Sequence, residues 1–176
     1  MLNPLSIKFL SYLEPTEVFK LFKDRPHAFF LDSSLRNNDL GKYSFIGFDP
    51  FKIIKINKDL PFDKIKDSLN LYRLPRLKNM PAFLGGLVGY FSYDLGLLLE
   101  KVNLKSQDDL NLADCVLGLY DLILAFDHQK KKTIIIASGF PEKSIYLRKI
   151  RADSRIKETL EILKRYKLED KESTIS

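Results

Sequence analysis

The stretch Pro81-Ala82-Phe83-Leu84-Gly85-Gly86-Leu87-Val88-Gly89-Tyr90-Phe91-Ser92-Tyr93-Asp94 constrains the fold more than any other part of the chain. Gly85, Gly86 and Gly89 fall close together among apolar and aromatic neighbours, and Gly96 follows. Glycine weakens a strand interior, so its presence there implies a bulge, a sharp bend, or close approach of another backbone or a ligand. The plainest form is a bent, buried strand without chemistry of its own. A phosphate loop is excluded, because Tyr90-Phe91 follows Gly89 where Lys-Ser/Thr would be needed. A dinucleotide fingerprint is excluded by the glycine spacing and by aromatics where a helix should open.

A chain of 176 residues that is 45% hydrophobic has enough apolar material for one domain with a real core. Cys115 is the single cysteine, which rules out an internal disulfide and a cysteine metal cluster and suits a small core residue in a reducing, cytoplasmic setting. The N-terminus lacks a basic segment before a long apolar run, so no signal peptide is expected. No run approaches the ~20 apolar residues of a membrane span. The net charge of +6 comes from lysines dispersed among acids, and the Lys130-Lys131-Lys132 run reads as a solvated turn. Neither a nucleic-acid partner nor a membrane is expected.

Residues 7–13 favour a first strand, and Glu14-Pro15 opens a helix whose apolar stripe is Val18, Phe19 and Phe22. Ala28 to Leu31 form a buried strand that ends abruptly in Asp32, Ser33 and Ser34. Those polar groups must find hydrogen-bond partners, either local turn amides or a ligand. A turn at 37–41 and a strand from Tyr43 make residues 28–48 a hairpin, and residues 51–56 form a further strand. Phe62, Ile65, Leu69 and Tyr72 recur at helical spacing in an amphipathic helix. A basic loop covers 73–80, residues 95–101 fit one or two helical turns, and 103–111 are polar loop. The apolar run 113–127 reads as one long strand with Asp121 an oddity inside it. With 132–138 it makes a second hairpin across a turn at His128. From Glu142 the chain is helix-prone, with Ile145, Ile156, Leu160 and Leu163 on the docking side and a linker-like tail from Glu169.

Candidate catalytic groups are sparse. His27 and His128 fall on separate predicted loops and read as surface residues. There is no His-x-x-x-His or Glu-x-x-His pair for a metal. Asp32, Asp94 and Asp121 sit at strand ends on different hairpins, and nothing in the sequence gathers them. Ser33 lacks the Gly-x-Ser-x-Gly elbow of a hydrolase nucleophile. No self-sufficient catalytic set emerges.

Four segments in order carry a resemblance. They are Phe29-Phe30-Leu31-Asp32-Ser33, the run from Gly41 to Pro50 containing Tyr43-Ser44-Phe45-Ile46-Gly47-Phe48, the run from Pro81 to Gly96, and the run from Leu117 to His128. Over residues 5–145 the chain resembles the N-terminal domain of the large subunits of anthranilate synthase and aminodeoxychorismate synthase. Gly118-Leu119-Tyr120-Asp121 and Tyr93-Asp94-Leu95-Gly96 lean towards the aminodeoxychorismate branch.

The resemblance implies an α+β fold of mostly antiparallel sheet packed with a few helices. It implies a component I N-terminal domain over 1–145, with a charged helix and linker tail over 146–176. Such a domain is the non-catalytic half of a chorismate-aminating synthase of folate or tryptophan synthesis. Its expected partners are a catalytic chorismate-binding half and a glutamine amidotransferase subunit. No cofactor is expected in this chain, because magnesium belongs to the C-terminal catalytic domain, which the sequence does not reach. The same resemblance implies part of an L-tryptophan pocket at Asp32, Ser33, Tyr43, Ser44, Phe45 and Ile46. At the Asp32 position anthranilate synthases usually carry glutamate. The alternatives are a free-standing tryptophan or amino-acid binding regulatory module, and a remnant without activity. A subunit should expose an apolar face to its partner, and a free-standing module should not.

Overall fold

A computed structural model of the chain describes residues 5–33, 41–100 and 112–173. The predicted turn at 37–41, apart from Gly41, and the predicted loop at 103–111 lie outside the described residues. Strand β1 (Ser6–Ser11) and helix α1 (Pro15–Phe22) open the fold, followed by β2 (Phe29–Leu31), β3 (Tyr43–Gly47) and β4 (Lys52–Ile56). Helix α2 (Phe62–Leu71), β5 (Gly86–Phe91) and α3 (Asp94–Glu100) form the middle of the chain. Strands β6 (Cys115–Tyr120), β7 (Leu122–Asp127) and β8 (Lys132–Ala137) lead to the long α4 (Ile145–Ser173).

The architecture is α+β. A five-stranded sheet has the order β1-β8-β7-β3-β2, and a three-stranded sheet the order β4-β6-β5. All their pairings are antiparallel. Both expected hairpins form, β2 with β3 and β7 with β8.

The period of two along each strand divides the large sheet into two faces. Ile46, Leu122, Leu124, Phe126, Ile135 and Ala137 point to one face, where they meet Val18 and Phe22 of α1 and Ala152, Ile156 and Leu163 of α4. Phe22 stacks on Phe48 with centroids 4.4 Å apart, and the guanidinium groups of Arg25 and Arg155 lie over the Phe48 ring. Ala125, Ile134 and Ile136 point the other way, to Leu5, Leu84 and the partly buried Phe45, Leu74, Leu77 and Met80. A third cluster of Ile54, Ile56, Cys115 and Leu117 lies under α2 and includes the buried cysteine.

The run 113–127 is not one strand. It breaks at Asp121, with β6 in the small sheet and β7 in the large one. Both halves are buried, so the apolar pattern runs through the crossover without marking it. The glycine stretch also differs from expectation. It is an edge strand, half-buried at Gly86 to Val88 and exposed from Gly89 to Phe91. Its glycines answer to close approach, because a Cβ on Gly89 would strike the Val116 carbonyl of the neighbouring strand. Gly86 has φ of +129°, in the region that favours glycine.

Helix α2 presents a face rotated from its predicted position, whereas α4 docks on its predicted Ile156, Leu160 and Leu163 and differs only at Ile145. Helix α2 docks on Ile65 and Ser68, with Tyr72 just beyond it against Phe51 and Phe140, which leaves Phe62 and Leu69 exposed. Helix α4 docks through Ala152, Ile156, Thr159 and Leu163, while Ile145 is exposed. It remains helical to Ser173, past the predicted start of the tail.

Candidate functional site

The end of the large sheet carries a buried polar chain. Leu31 pairs with Phe45, so the next residue, Asp32, reaches the level of Ser44. Ser44 pairs with Phe126 on the other side, and the His128 amide donates to the Lys42 carbonyl, which extends the ladder past the strand end. Ser44 and His128 therefore share the helix-covered face. The Ser44 hydroxyl donates to Asp32 Oδ1 at 2.5 Å and lies 2.6 Å from His128 Nε2. The Tyr12 hydroxyl is 2.9 Å from His128 Nδ1. Ser44 is fully buried and His128 nearly so, while Asp32 is exposed at the chain's outer end.

His128 is thus not the surface residue that its predicted loop suggested. Asp127 Oδ1 accepts from the amides of Gln129 and Lys130, so the turn starts within the strand's last residue. The signal was present: Leu122, Leu124 and Phe126 mark the helix-facing register, and His128 continues it. His27, by contrast, is exposed, with a φ of 50°.

The order of groups differs from that of a serine nucleophile site. A catalytic base accepts the serine proton, and a carboxylate then orients that base from behind. Here the carboxylate is on the serine side, and the serine donates to it. The arrangement fixes an exposed carboxylate at a strand end, which suits recognition of a cationic group.

The remaining predicted pocket residues divide by strand parity. Ser33 follows Asp32 and is half-buried. Ile46 is fully enclosed in the core on the helix-covered face. Tyr43 and Phe45 point to the opposite face, where Phe45 meets the Phe83 ring edge-on at 5.6 Å. Desolvation, reinforced by Asp127, pushes the Tyr43 phenol up to about 12. The structure brings Asp32 and Ser44 together and sets Tyr43 and Phe45 apart from them.

Asp121 belongs to a different cluster. It is fully buried at the sheet crossover, with Arg151 Nε 3.1 Å from Oδ2 and Arg155 Nε 3.5 Å from Oδ1. Asp121 Oδ1 and Arg155 Nε have no hydrogen-bond partner elsewhere, so they face each other as a charge pair. Burial pushes the Asp121 carboxyl up from its ordinary value, and the two guanidinium groups pull it back. Arg155 also contacts Asp49 and Glu158, and Arg25 bonds the same two acids. This network clamps α4 to the sheet.

Among the described residues no group of three or more His, Cys, Asp or Glu side chains is placed to hold a metal ion. Asp32 is held by Ser44 and Asp121 by arginines, in separate clusters. A cleft of about 350 Å³, lined by Tyr72, Arg73, Arg76, Leu84 and Gly86 among others, lies beside the glycine stretch and does not include Asp32. Along β5 and the turn after it, Tyr90, Phe91 and Tyr93 are 42%, 51% and 90% exposed. No described helix is long and apolar enough to cross a membrane.

The antiparallel α+β fold and its buried polar chain belong to a known family. Residues 26–175 match the chorismate binding enzyme family, and the chain belongs to it. It is 30% identical over 171 residues to anthranilate synthase component 1 of Acetivibrio thermocellus, covering 88% of this chain and 35% of that protein. It is 26% identical to the Pseudomonas aeruginosa protein of the same name, covering 92% of this chain and 36% of that one. The crystal structure of anthranilate synthase component I from Streptococcus pneumoniae TIGR4 has a similar fold, with a TM-score of 0.55 at 18% identity. That likeness covers 85% of this chain and 36% of that one. The chain spans about a third of the length of these relatives.

Proposed function

We propose that this chain is the N-terminal, non-catalytic scaffold of a chorismate-aminating synthase large subunit, and that it carries the ammonium-binding side of an L-tryptophan pocket. Membership of the chorismate binding enzyme family supports the link to chorismate, and the match to about a third of each anthranilate synthase component 1 fits one part of a larger subunit. The second rests on the Asp32 carboxylate, exposed at a strand end and anchored by Ser44. Asp32 takes the α-ammonium, Ser33 adds a polar contact, and Ser44 holds Asp32 in place. Ile46, Tyr43 and Phe45 support the strand from the core and the far face. Magnesium and the reacting groups belong to the catalytic half. That half works with a glutamine amidotransferase subunit in the cytoplasm, where an unpaired Cys115 is stable.

Exposed aromatics at Tyr90, Phe91 and Tyr93 favour a docked subunit over a free-standing amino-acid sensor. The names of the relatives favour anthranilate as product, whereas the Gly118 to Asp121 and Tyr93 to Gly96 segments favour aminodeoxychorismate.

The test is purification from the native host with an N-terminal tag, followed by assay with chorismate, ammonia and magnesium. Recovery of the chorismate-binding half, on the same or a second polypeptide, with an aminated product is expected; a lone 20.4 kDa chain overturns the subunit assignment. Chromatography of the product separates the two branches. In the same preparation, Asp32→Asn should weaken L-tryptophan binding by roughly tenfold or more, the loss of a charge-assisted hydrogen bond. Equal binding by calorimetry would remove Asp32 from the pocket.

A further inference from the structure

We infer that His128 is the positioning residue that sets the direction of the hydrogen-bond chain and so aims the Asp32 carboxylate at its ligand. The inference rests on the ammonium-binding role proposed for Asp32. Ser44 has one hydroxyl proton and two close partners, Asp32 Oδ1 at 2.5 Å and His128 Nε2 at 2.6 Å. An ionised carboxylate only accepts, so the Ser44 proton goes to Asp32. Nε2 must then carry a proton and donate it to Ser44 Oγ. With a single proton on the ring, Nδ1 is left as the acceptor facing the Tyr12 hydroxyl 2.9 Å away. All protons run one way, from Tyr12 through His128 and Ser44 to Asp32.

The packing holds this order in place. The Tyr12 ring meets the imidazole edge-on with centroids 5.9 Å apart, and Lys131 Nζ sits 4.7 Å from the centre of the Tyr12 ring. The His128 amide is bonded to the Lys42 carbonyl at 3.0 Å, which fixes the histidine backbone against β3. A donor at the Nε2 position leaves Ser44 free to donate only outward, to Asp32. An acceptor there competes for the Ser44 proton and leaves the carboxylate without its anchor. The identity of residue 128 thus controls the outer end of the chain without touching the ligand.

Three variants of the whole chain separate this role from simple packing. Glutamine places an amide donor near the Nε2 position, glutamate an acceptor, and leucine neither. The binding probe is L-tryptophan, followed by NMR shifts of the Asp32 and Ser33 amides so that weak binding is still seen. Long-range proton–nitrogen NMR of the wild type should show Nε2 protonated and Nδ1 bare. His128→Gln should keep affinity near the wild-type value. His128→Glu should lose roughly tenfold to a hundredfold, the span for a hydrogen bond to a charged group, and His128→Leu, which removes the donor without adding a competing acceptor, should fall between the other two. A bare Nε2 overturns the inference directly, even if a variant fails to fold. Wild-type binding with equal affinity in folded His128→Glu overturns it and leaves the Asp32 pocket standing. Absence of any L-tryptophan response in the wild type overturns the pocket, and this inference with it.

Discussion

At the scale of single residues, two polar side chains show how far burial alters chemistry. Asp121 looked anomalous in an apolar run because no neighbour in sequence explains it. Its partners, Arg151 and Arg155, come from a helix some thirty positions on. Asp121→Ala leaves two guanidinium groups without their acid. The expected cost is about 3 kcal/mol by urea denaturation, the low end for breaking a buried pair, since Arg151 stays 34% exposed to water. The Asp121 carboxyl is raised above its ordinary 3.8, so the folded state takes up this proton before the unfolded state does. Wild type should therefore gain stability relative to Asp121→Asn as pH falls through the folded pKa towards 3.8. Parallel denaturation curves across that window check the sign. His128 shows the opposite failure: its strand parity was readable, but a turn signal two residues long outweighed it.

At the scale of elements, local pattern located strands and helices well and their environments less well. The 28–48 hairpin and α1 follow from β-favouring runs, proline and a stripe of Val18, Phe19 and Phe22. The 113–127 run shows the limit, since an apolar sequence buried on both sides of a crossover has no alternation to betray the break. The face of α2 and the first turn of α4 differ from expectation for a related reason, while Ile156, Leu160 and Leu163 of α4 dock as expected. Hydrophobicity gave Phe62, Leu69 and Ile145 to the core, but the space under each helix fits Ser68 and Ala152. Shape settled what hydropathy could not. The glycine stretch carries the sharpest element-scale prediction. Gly89→Ala drives a methyl into the Val116 carbonyl, a backbone atom fixed by the β5–β6 ladder. The expected loss is about 2 kcal/mol, in the range for overpacking, with the melting temperature lowered and exchange of β5 amides accelerated. Wild-type melting would show that the edge strand shifts aside.

At the scale of the whole molecule, the two sheets and the helix layer enclose aromatic hydroxyls as well as apolar groups. Tyr43 and Tyr120 have phenols raised by desolvation from the ordinary 10.0 to about 12, and Tyr120 also donates to the His27 carbonyl at 2.7 Å. An acidic group with a raised folded pKa stabilises below its unfolded value and loses that contribution as pH rises through the folded one. Stability should thus fall between pH 10 and about 12, and an absorbance titration should show two of the eight tyrosines ionising only as the fold opens. Ionisation of all eight together near 10, with the fold intact, would contradict that enclosure.

The sequence by itself determined the α+β class, the antiparallel hairpins, the buried cysteine and the family, because strand alternation, turn chemistry and ordered motifs are local properties of the chain. It also picked out Asp32 and Ser44 by resemblance. Only the tertiary structure decided that His128 joins them, that Tyr43 and Phe45 face away, and that Asp121 marks the crossing between sheets. Those facts depend on register and on contacts between distant segments, where a shift of one residue would turn each side chain to the opposite face.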